Sequence, residues 1–155
     1  MIEKVGFNIT LIPLRYRPET GGMVLLHRVQ EGVYEIPNAF LGATDTPEMT
    51  VHSVLEELGL NGQEESISAS TIFGEPSRDP SGHNVAQLYV AQMQQDAERK
   101  KDETDSDYVW FVATSHEAKV DLSTDDTTII LYRDGRITGD ATLALDHSNM
   151  FTTIF

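Results

Sequence analysis

The sequence predicts an α/β or α+β fold, a sandwich in which helices cover a β-sheet. Segments with the β-branched composition of strands recur along the chain, one well-marked helix lies in the middle, and an apolar segment ends the chain. This mixture of elements suits a sandwich better than a doubly wound parallel sheet.

Length and composition indicate a single domain spanning residues 1–155. A chain of 155 residues can bury a sizeable core, and a hydrophobic content of 39% argues against disorder. The absence of cysteine excludes a disulfide framework and a thiolate metal site. No apolar run approaches about 18 residues, so no membrane span is expected. The lack of cysteine is compatible with a cytoplasm, and we expect a cytoplasmic location.

The charge balance limits the classes of partner. There are 11 basic and 25 acidic residues, which gives a formal net charge of −14. This excess disfavours nonspecific binding to nucleic acid or to an anionic membrane. A phosphate-bearing ligand would therefore need a cation or a local basic pocket. The sequence leaves the oligomeric state open, with a homodimer as one option.

Strands are predicted on both sides of the central helix. Apolar, β-branched segments occupy residues 5–14, 23–29, 67–73, 83–93 and 108–113, with a hairpin at 127–138. The Asp134-Gly135 pair within that hairpin is typical of a type I′ turn. Two segments remain: the charged run 94–107, expected to form a short exposed helix or a loop, and residues 146–155, expected to form a final helix.

The central helix is defined at both ends. Thr46 suits the N-cap, Pro47 the first helical position and Gly59 a left-handed residue after the last turn. One apolar face follows the i, i+3, i+4, i+7 spacing and consists of Val51, Val54, Leu55 and Leu58.

Two adjacent glutamates, Glu56 and Glu57, lie on the last turn of this helix. The C-terminal end of the helix dipole repels anions, so a bound hard divalent cation is the natural compensation. A solvated helix face is the alternative interpretation, since charged faces are common.

The central segment resembles the Nudix box, whose family pattern is G-x5-E-x7-R-E-U-x-E-E-x-G-U, with U an aliphatic residue. Glu56 and Glu57 match the Glu-Glu pair, and Gly59 matches the glycine that follows it. The sequence departs from the pattern at His52, where the family has Arg, and at Ser53, where it has Glu. The family's upstream Pro-Gly-Gly reads Pro37-Asn38-Ala39 here.

Three further segments are similar to the branch of this family related to ADP-ribose pyrophosphatases. They are the basic pair His27-Arg28 after an apolar strand, the Arg78-Asp79-Pro80 loop, and the C-terminal Leu143-Ala144-Leu145-Asp146-His147. His147 is interpreted as a packed or capping histidine. Because the chain ends soon after it, we expect no DNA-binding domain of the kind that regulatory relatives carry.

The resemblance implies a Nudix-like α/β/α sandwich with a mixed β-sheet. It implies hydrolysis of a nucleoside diphosphate linked to another moiety, with ADP-ribose as the leading substrate and Mg²⁺ or Mn²⁺ as cofactor. Glu56 and Glu57 would be catalytic metal ligands, with the backbone carbonyl of Ala39 as a further ligand. An exposed Arg78, with Asp79 and Arg28, would contact the substrate.

A further carboxylate or base is expected outside the helix, with Glu98, Asp102 and Glu103 as candidates. Two rival functions stay open. A nucleotide-binding protein that has lost turnover is favoured by His52-Ser53 and by Asn38-Ala39, whereas Glu56-Glu57 favours the enzyme. An acidic scaffold without a ligand is compatible with the low basic content.

The sequence predicts weak or absent hydrolysis, because the short neutral side chain of Ser53 cannot reach a cation held by Glu57. Water-activating groups are typically worth roughly 10²–10⁴-fold in rate. Ser53→Glu combined with His52→Arg should therefore raise turnover and tighten metal binding. Steady-state kinetics with Mg²⁺ measure this, and robust wild-type turnover that the double variant leaves unchanged would contradict it.

Overall fold

The computed structural model describes residues 5–76, 78–100 and 107–155, and it places two helices against a β-sheet. The helices are α1 (Pro47–Glu57) and α2 (His147–Ile154). The strands are β1 (Gly6–Arg17), β2 (Gly21–Gln30), β3 (Val33–Glu35), β4 (Asn38–Phe40), β5 (Glu64–Phe73), β6 (Asn84–Met93), β7 (Tyr108–Ser115), β8 (Lys119–Ser123), β9 (Thr128–Tyr132), β10 (Ile137–Gly139) and β11 (Thr142–Leu143). Neither helix is long and apolar enough to cross a bilayer, a finding that concerns the described residues.

The sheet is mixed, as expected, and it forks along one edge of β1. Its main path runs β10-β9-β8-β7-β2-β1-β6-β5, in which β1 and β6 are parallel and the other pairs are antiparallel. Residues 14–17 of β1 pair with β2, whereas residues 8–10 pair with β4 along the same edge. The short strand β3 folds back and pairs with β2 in antiparallel, and β11 pairs with β3 in parallel.

The two helices cover opposite faces of the sheet, which confirms the α/β/α sandwich. Successive strand residues face opposite sides, so Leu25 packs toward α1 while Val24 and Leu26 pack toward α2. The predicted apolar face of α1 is buried against the first side. Met150 and Phe151 of α2 are buried against the second.

Both predicted ends of α1 are confirmed. The Thr46 hydroxyl accepts a hydrogen bond from the Met49 amide at 3.2 Å. Gly59 has φ +72°, and the Leu60 amide donates back to the Leu55 carbonyl at 2.9 Å. This pairing is a Schellman motif, and it fixes where the last turn, with Glu56 and Glu57, stops.

The hairpin of β9 and β10 forms, but its predicted type I′ turn is wrong. A type I′ turn needs positive φ at both central residues, and Asp134 lacks it, since Leu145 is the one described non-glycine residue with positive φ. The Gly135 amide instead donates to Tyr132, and Gly135 takes φ +98°. Three loop residues with a left-handed glycine therefore replace the expected two-residue turn.

The remaining differences concern short strands and one loop. Strands β3, β4, β8 and β11 were not predicted, since each is at most five residues long, and β5 begins three residues before its predicted start. Residues 94–100 form no helix, and 101–106 lie outside the described residues.

Buried polar contacts attach α2 and the loop after β5 to the rest of the fold. Arg78 forms two 2.8 Å hydrogen bonds to the Asp146 carboxylate, and its side chain is 4% exposed. The expectation of an exposed Arg78 is thus wrong, because the carboxylate that precedes α2 buries it. His147 is also buried, and its Nδ1 accepts the Ile36 amide at 2.9 Å, which confirms the structural interpretation of this residue.

Arg78→Ala should destabilise the fold by about 3 kcal/mol, because it leaves the largely buried Asp146 carboxylate unpaired. Urea denaturation at neutral pH measures the change. Arg136→Ala is the matched control, since its pair with Asp134 is exposed and worth at most about 1 kcal/mol. Equal effects of the two substitutions would contradict this role.

Folding stability should fall as the pH drops from about 7 to 4 because of His147. Burial lowers the pKa of His147 to about 4, an effect that neighbouring Arg78 reinforces and Asp146 opposes. Between this value and the ordinary pKa near 6.5, the unfolded chain binds a proton that the folded chain does not, so acid costs roughly 3 kcal/mol.

The control is His147→Asn, whose Oδ1 can still accept the Ile36 amide but does not titrate over this range. Chemical denaturation at a series of pH values should show a steeper loss of stability in the wild type than in the variant. Parallel profiles would contradict the assignment.

Candidate functional site

The fork in the sheet opens a small cleft beside the last turn of α1. Here β2 diverges from β4, and the space between them, about 140 Å³, is called the fork cleft. Its lining residues are His27, Glu35, Pro37, Asn38, Val54, Glu57, Leu58 and Tyr108.

Of the two predicted glutamates, Glu57 lines the fork cleft. Glu56 is exposed and lies about 100° around the helix from Glu57. Ser53 is exposed one turn earlier on the side of Glu57. His52 borders a different groove, between α1 and β5, together with Tyr89. The position where the family carries a third acidic residue therefore contributes no charge to the cleft.

A histidine–carboxylate pair lines the fork cleft together with Glu57. His27 and Glu35 are register partners on β2 and β3, and His27 Nδ1 lies 3.3 Å from Glu35 Oε1. In the tautomer with its proton on Nδ1, the His27 ring donates to the Glu35 carboxylate and keeps a lone pair on Nε2. The ring of Tyr108 stacks on His27, with centroids 4.6 Å apart, and holds its plane.

The donors in the fork cleft fit a divalent cation that arrives with a phosphate ligand. No group of three or more histidine or acidic side chains able to hold a metal ion occurs in the part of the chain that the structure describes. The cleft does offer the carboxylates of Glu57 and Glu35. Mg²⁺ typically takes one or two carboxylates and completes its shell with substrate phosphates and water.

Ala39 lies in β4, opposite Ile9 of β1. Hydrogen bonds from Leu11 to Pro37 and from Leu41 to Phe7 flank this pair at 2.9 and 2.8 Å. Antiparallel ladders alternate, so the Ala39 carbonyl accepts the Ile9 amide and keeps one lone pair for a further ligand.

Arg28 and Asp79 lie away from the fork cleft. Arg28 follows His27 on β2 and so faces the opposite side, where it pairs with Asp107 at 3.6 Å. Asp79 accepts hydrogen bonds from the Ser81 hydroxyl and amide and from Asn84, which lower its pKa.

Arg78 and Asp79 instead line a second cleft of about 130 Å³ on the other side of β4. It is called the second cleft, and its lining residues are Asn8, Asn38, Phe40, Arg78, Asp79, Asn84, Leu145 and His147. Because Asn38 lines both clefts, they are neighbours.

The sequence did not identify His27, Glu35 or Tyr108 as site residues. The predicted additional carboxylate Glu98 is bound by Arg15 at 3.2 Å and Arg17 at 2.6 Å, and Asp102 and Glu103 lie outside the described residues. The histidine pair arises because β3 folds back onto β2, a pairing that sets His27 opposite Glu35.

A basic side chain was also missed at the edge of the fork cleft. The guanidinium of Arg99 lies 4.5 Å from the Tyr108 ring centroid, and its Nε donates to the Leu58 carbonyl at 2.9 Å. Both contacted residues line the cleft.

Comparisons with known proteins identify structural relatives. No protein-family model and no curated protein matches the sequence. A MutT/Nudix family protein from Enterococcus faecalis matches 98% of this chain with a TM-score of 0.82 and 27% identity. The NUDIX domain of Shewanella oneidensis NrtR, solved in complex with ADP ribose, matches 70% of this chain and 73% of its own, with a TM-score of 0.56 and 23% identity.

A bifunctional NMN adenylyltransferase/ADP ribose pyrophosphatase from Francisella tularensis matches 99% of this chain and 41% of its own, with a TM-score of 0.63 and 12% identity. The two matches with lower identity establish the fold. This chain spans 62% of the length of the E. faecalis protein. The near-complete superposition on that protein, together with the α1 glutamates and the forked mixed sheet, shows that the chain belongs to the Nudix superfamily.

Proposed function

We propose that the protein binds a nucleoside diphosphate linked to a second moiety, ADP-ribose being the leading candidate, and slowly hydrolyses its pyrophosphate with Mg²⁺ or Mn²⁺. The observation that carries the proposal is the fork cleft, which Glu57 lines together with the His27–Glu35 pair. The choice of ADP-ribose is supported by the ligand of the Shewanella NUDIX domain.

Glu57 and Glu35 would hold the cation, and Ala39 through its carbonyl and Glu56 are further candidates. When bound, the cation neutralises the diphosphate and makes a bound water more acidic. The carboxylate of Glu57 lies on the last turn of α1, whose buried neighbours Val54 and Leu58 keep the helix fixed against the sheet. The chain thus presents this carboxylate from a rigid element.

His27 would act as the general base. Its Nε2 takes the proton from the water that attacks phosphorus, the bridging P–O bond breaks, and the departing phosphate carries the electron pair. Glu35 holds the ring through Nδ1 and stabilises the imidazolium that forms.

The second candidate function is binding without turnover. It is favoured by the lack of a three-ligand metal set among the described residues. Ser53 beside Glu57 is neutral, where the Nudix pattern has a glutamate. The cleft would therefore attract a cation less strongly, and orient the attacking water less well, than a cleft with that glutamate. The two candidates share the ligand and differ in rate.

The test is a screen of ADP-ribose and other nucleotide sugars and dinucleotides with Mg²⁺ and with Mn²⁺, reading both products and melting temperature. A cation with ligand should raise the melting temperature, since a ligand that binds only the folded chain stabilises it. Glu57→Gln should abolish this shift and lower any turnover by roughly 10²-fold or more. Glu65→Gln, the same change on the exposed face of β5, is the matched control.

Stabilisation without products would select the binding function. A melting shift that persists in Glu57→Gln would place the cation elsewhere. Neither turnover nor stabilisation would leave the acidic scaffold as the function.

A further inference from the structure

The edge of the sheet that β5 forms is open to a partner. β5 pairs with β6 on one side, and none of the described strands pairs with its other side. Edge strands are normally blocked by proline, charge or bulges, because their free N–H and C=O groups can pair with another chain. β5 has two glutamates at its start and two register shifts, but it contains no proline, and residues 66–73 carry no charge.

An apolar groove runs beside this edge, between β5 and α1. It has a volume of about 250 Å³ and is called the β5 groove. Its lining residues are Glu48, Val51, His52, Ile67, Ala69 and Tyr89. Since a cavity of about 150 Å³ can enclose one benzene ring, the groove has room for an apolar side chain of leucine or phenylalanine size.

An exposed apolar side chain extends this surface along β5. Ile72 is 57% exposed and is the register partner of Gln87, which lies two residues before Tyr89 on β6. Register partners, and residues two apart on one strand, face the same side of a sheet. Ile72 therefore lies on the side of the sheet that carries the β5 groove, and a strand added to β5 would meet apolar contacts at more than one position.

The charge around the β5 groove is negative. There are three glutamates in α1 and two in β5, and neither element contains lysine or arginine. β6, which forms the floor beside them, has no charged residue. The net charge of −14 adds to this local charge at longer range. A positively charged partner is therefore attracted to this flank of the molecule.

A second copy of this chain does not match these charges. Two copies joined through β5 would bring the glutamates of both flanks together, and each copy carries −14. Like charge across an interface opposes association. An extended segment of a basic partner instead brings opposite charge, and it can pair with the free backbone groups of β5.

We propose that β5 and the β5 groove form a docking surface for an extended segment of a partner protein that carries lysine or arginine. The segment adds a strand to the free edge of β5, one of its apolar side chains occupies the groove, and its basic side chains lie near the glutamates of the flank. Main-chain hydrogen bonds supply affinity in this mode of recognition, and the side-chain pocket supplies specificity.

The docking surface is separate from the fork cleft. Glu48 lines the β5 groove and Glu57 lines the fork cleft. The two residues lie about 180° apart around α1, so the helix stands between the two sites.

The experiment is a ¹H–¹⁵N NMR titration of the full chain with a capped ten-residue peptide of alternating lysine and valine. Shifts should concentrate on β5 and on the residues that line the β5 groove, and amides of β5 should gain protection against hydrogen exchange. Two further peptides separate the contributions. Glutamate in place of lysine, which repels the flank, and serine in place of valine, which removes the apolar contact, should each weaken binding at least about tenfold.

Ala69→Phe tests the groove itself. Ala69 is exposed, so phenylalanine can fill the groove without entering the core and should weaken binding of the lysine–valine peptide about tenfold. Ala118→Phe, the same change at an exposed position between β7 and β8, is the matched control. Glu48→Gln should also weaken binding, whereas Glu117→Gln, exposed beside Ala118, should not. Melting temperatures are measured alongside, and Ala69→Leu replaces Ala69→Phe if phenylalanine impairs folding.

The proposal is overturned if the lysine–valine peptide does not bind at millimolar concentration, if its shifts lie away from β5, or if the glutamate peptide binds equally well. Unchanged affinity in the groove-filling variant would also overturn it. Sedimentation of the protein alone tests the other occupant: a dimer that Ala69→Phe dissociates would place a second copy on β5. Glu57→Gln should bind the peptide as the wild type does, so this result is independent of the function of the fork cleft.

Discussion

Two strands, β2 and β4, share one edge of β1, and this sharing opens the sheet where α1 packs. β2 occupies residues 14–17 and β4 residues 8–10 of that edge, so the two strands must separate between them. Buried backbone groups need hydrogen-bond partners. On the β2 side of the gap, β3 supplies such partners to β2, and β11 supplies them to β3. The gap is the fork cleft, and α1 lies over it because its apolar face is buried on the same side of the sheet.

A second set of constraints fixes the other side of β4. The Arg78–Asp146 pair and the His147–Ile36 hydrogen bond join a loop, a helix and a strand corner that are far apart in sequence. These contacts consume the polar groups that a ligand would otherwise meet. What remains available is the outer N–H of the histidine and of two amides, so this side offers no unpaired cation among its described lining residues.

The sequence predicted what local rules determine. The caps and apolar face of α1 follow from spacing and composition, as does a sandwich of helices on a sheet, whereas the Nudix resemblance supplied the mixed sheet and the order of the layers. It could not predict the partner of Arg78, because nothing local to an Arg-Asp-Pro loop indicates a carboxylate near residue 146. The His27–Glu35 pair was missed for a related reason: it depends on the register of β2 on β3, which includes a bulge after Arg28.

Charge explains why the two proposed functions of the fork cleft, binding and hydrolysis, share one requirement. Its described lining side chains include two carboxylates and no lysine or arginine, and the whole chain carries −14. Arg28 faces the opposite side, and Arg99 is engaged by Leu58 and Tyr108. A diphosphate entering alone would meet like charge in a site partly shielded from water, where repulsion is stronger than in bulk solvent. A divalent cation reverses the sign of that interaction, so even a protein without turnover needs one to hold this ligand.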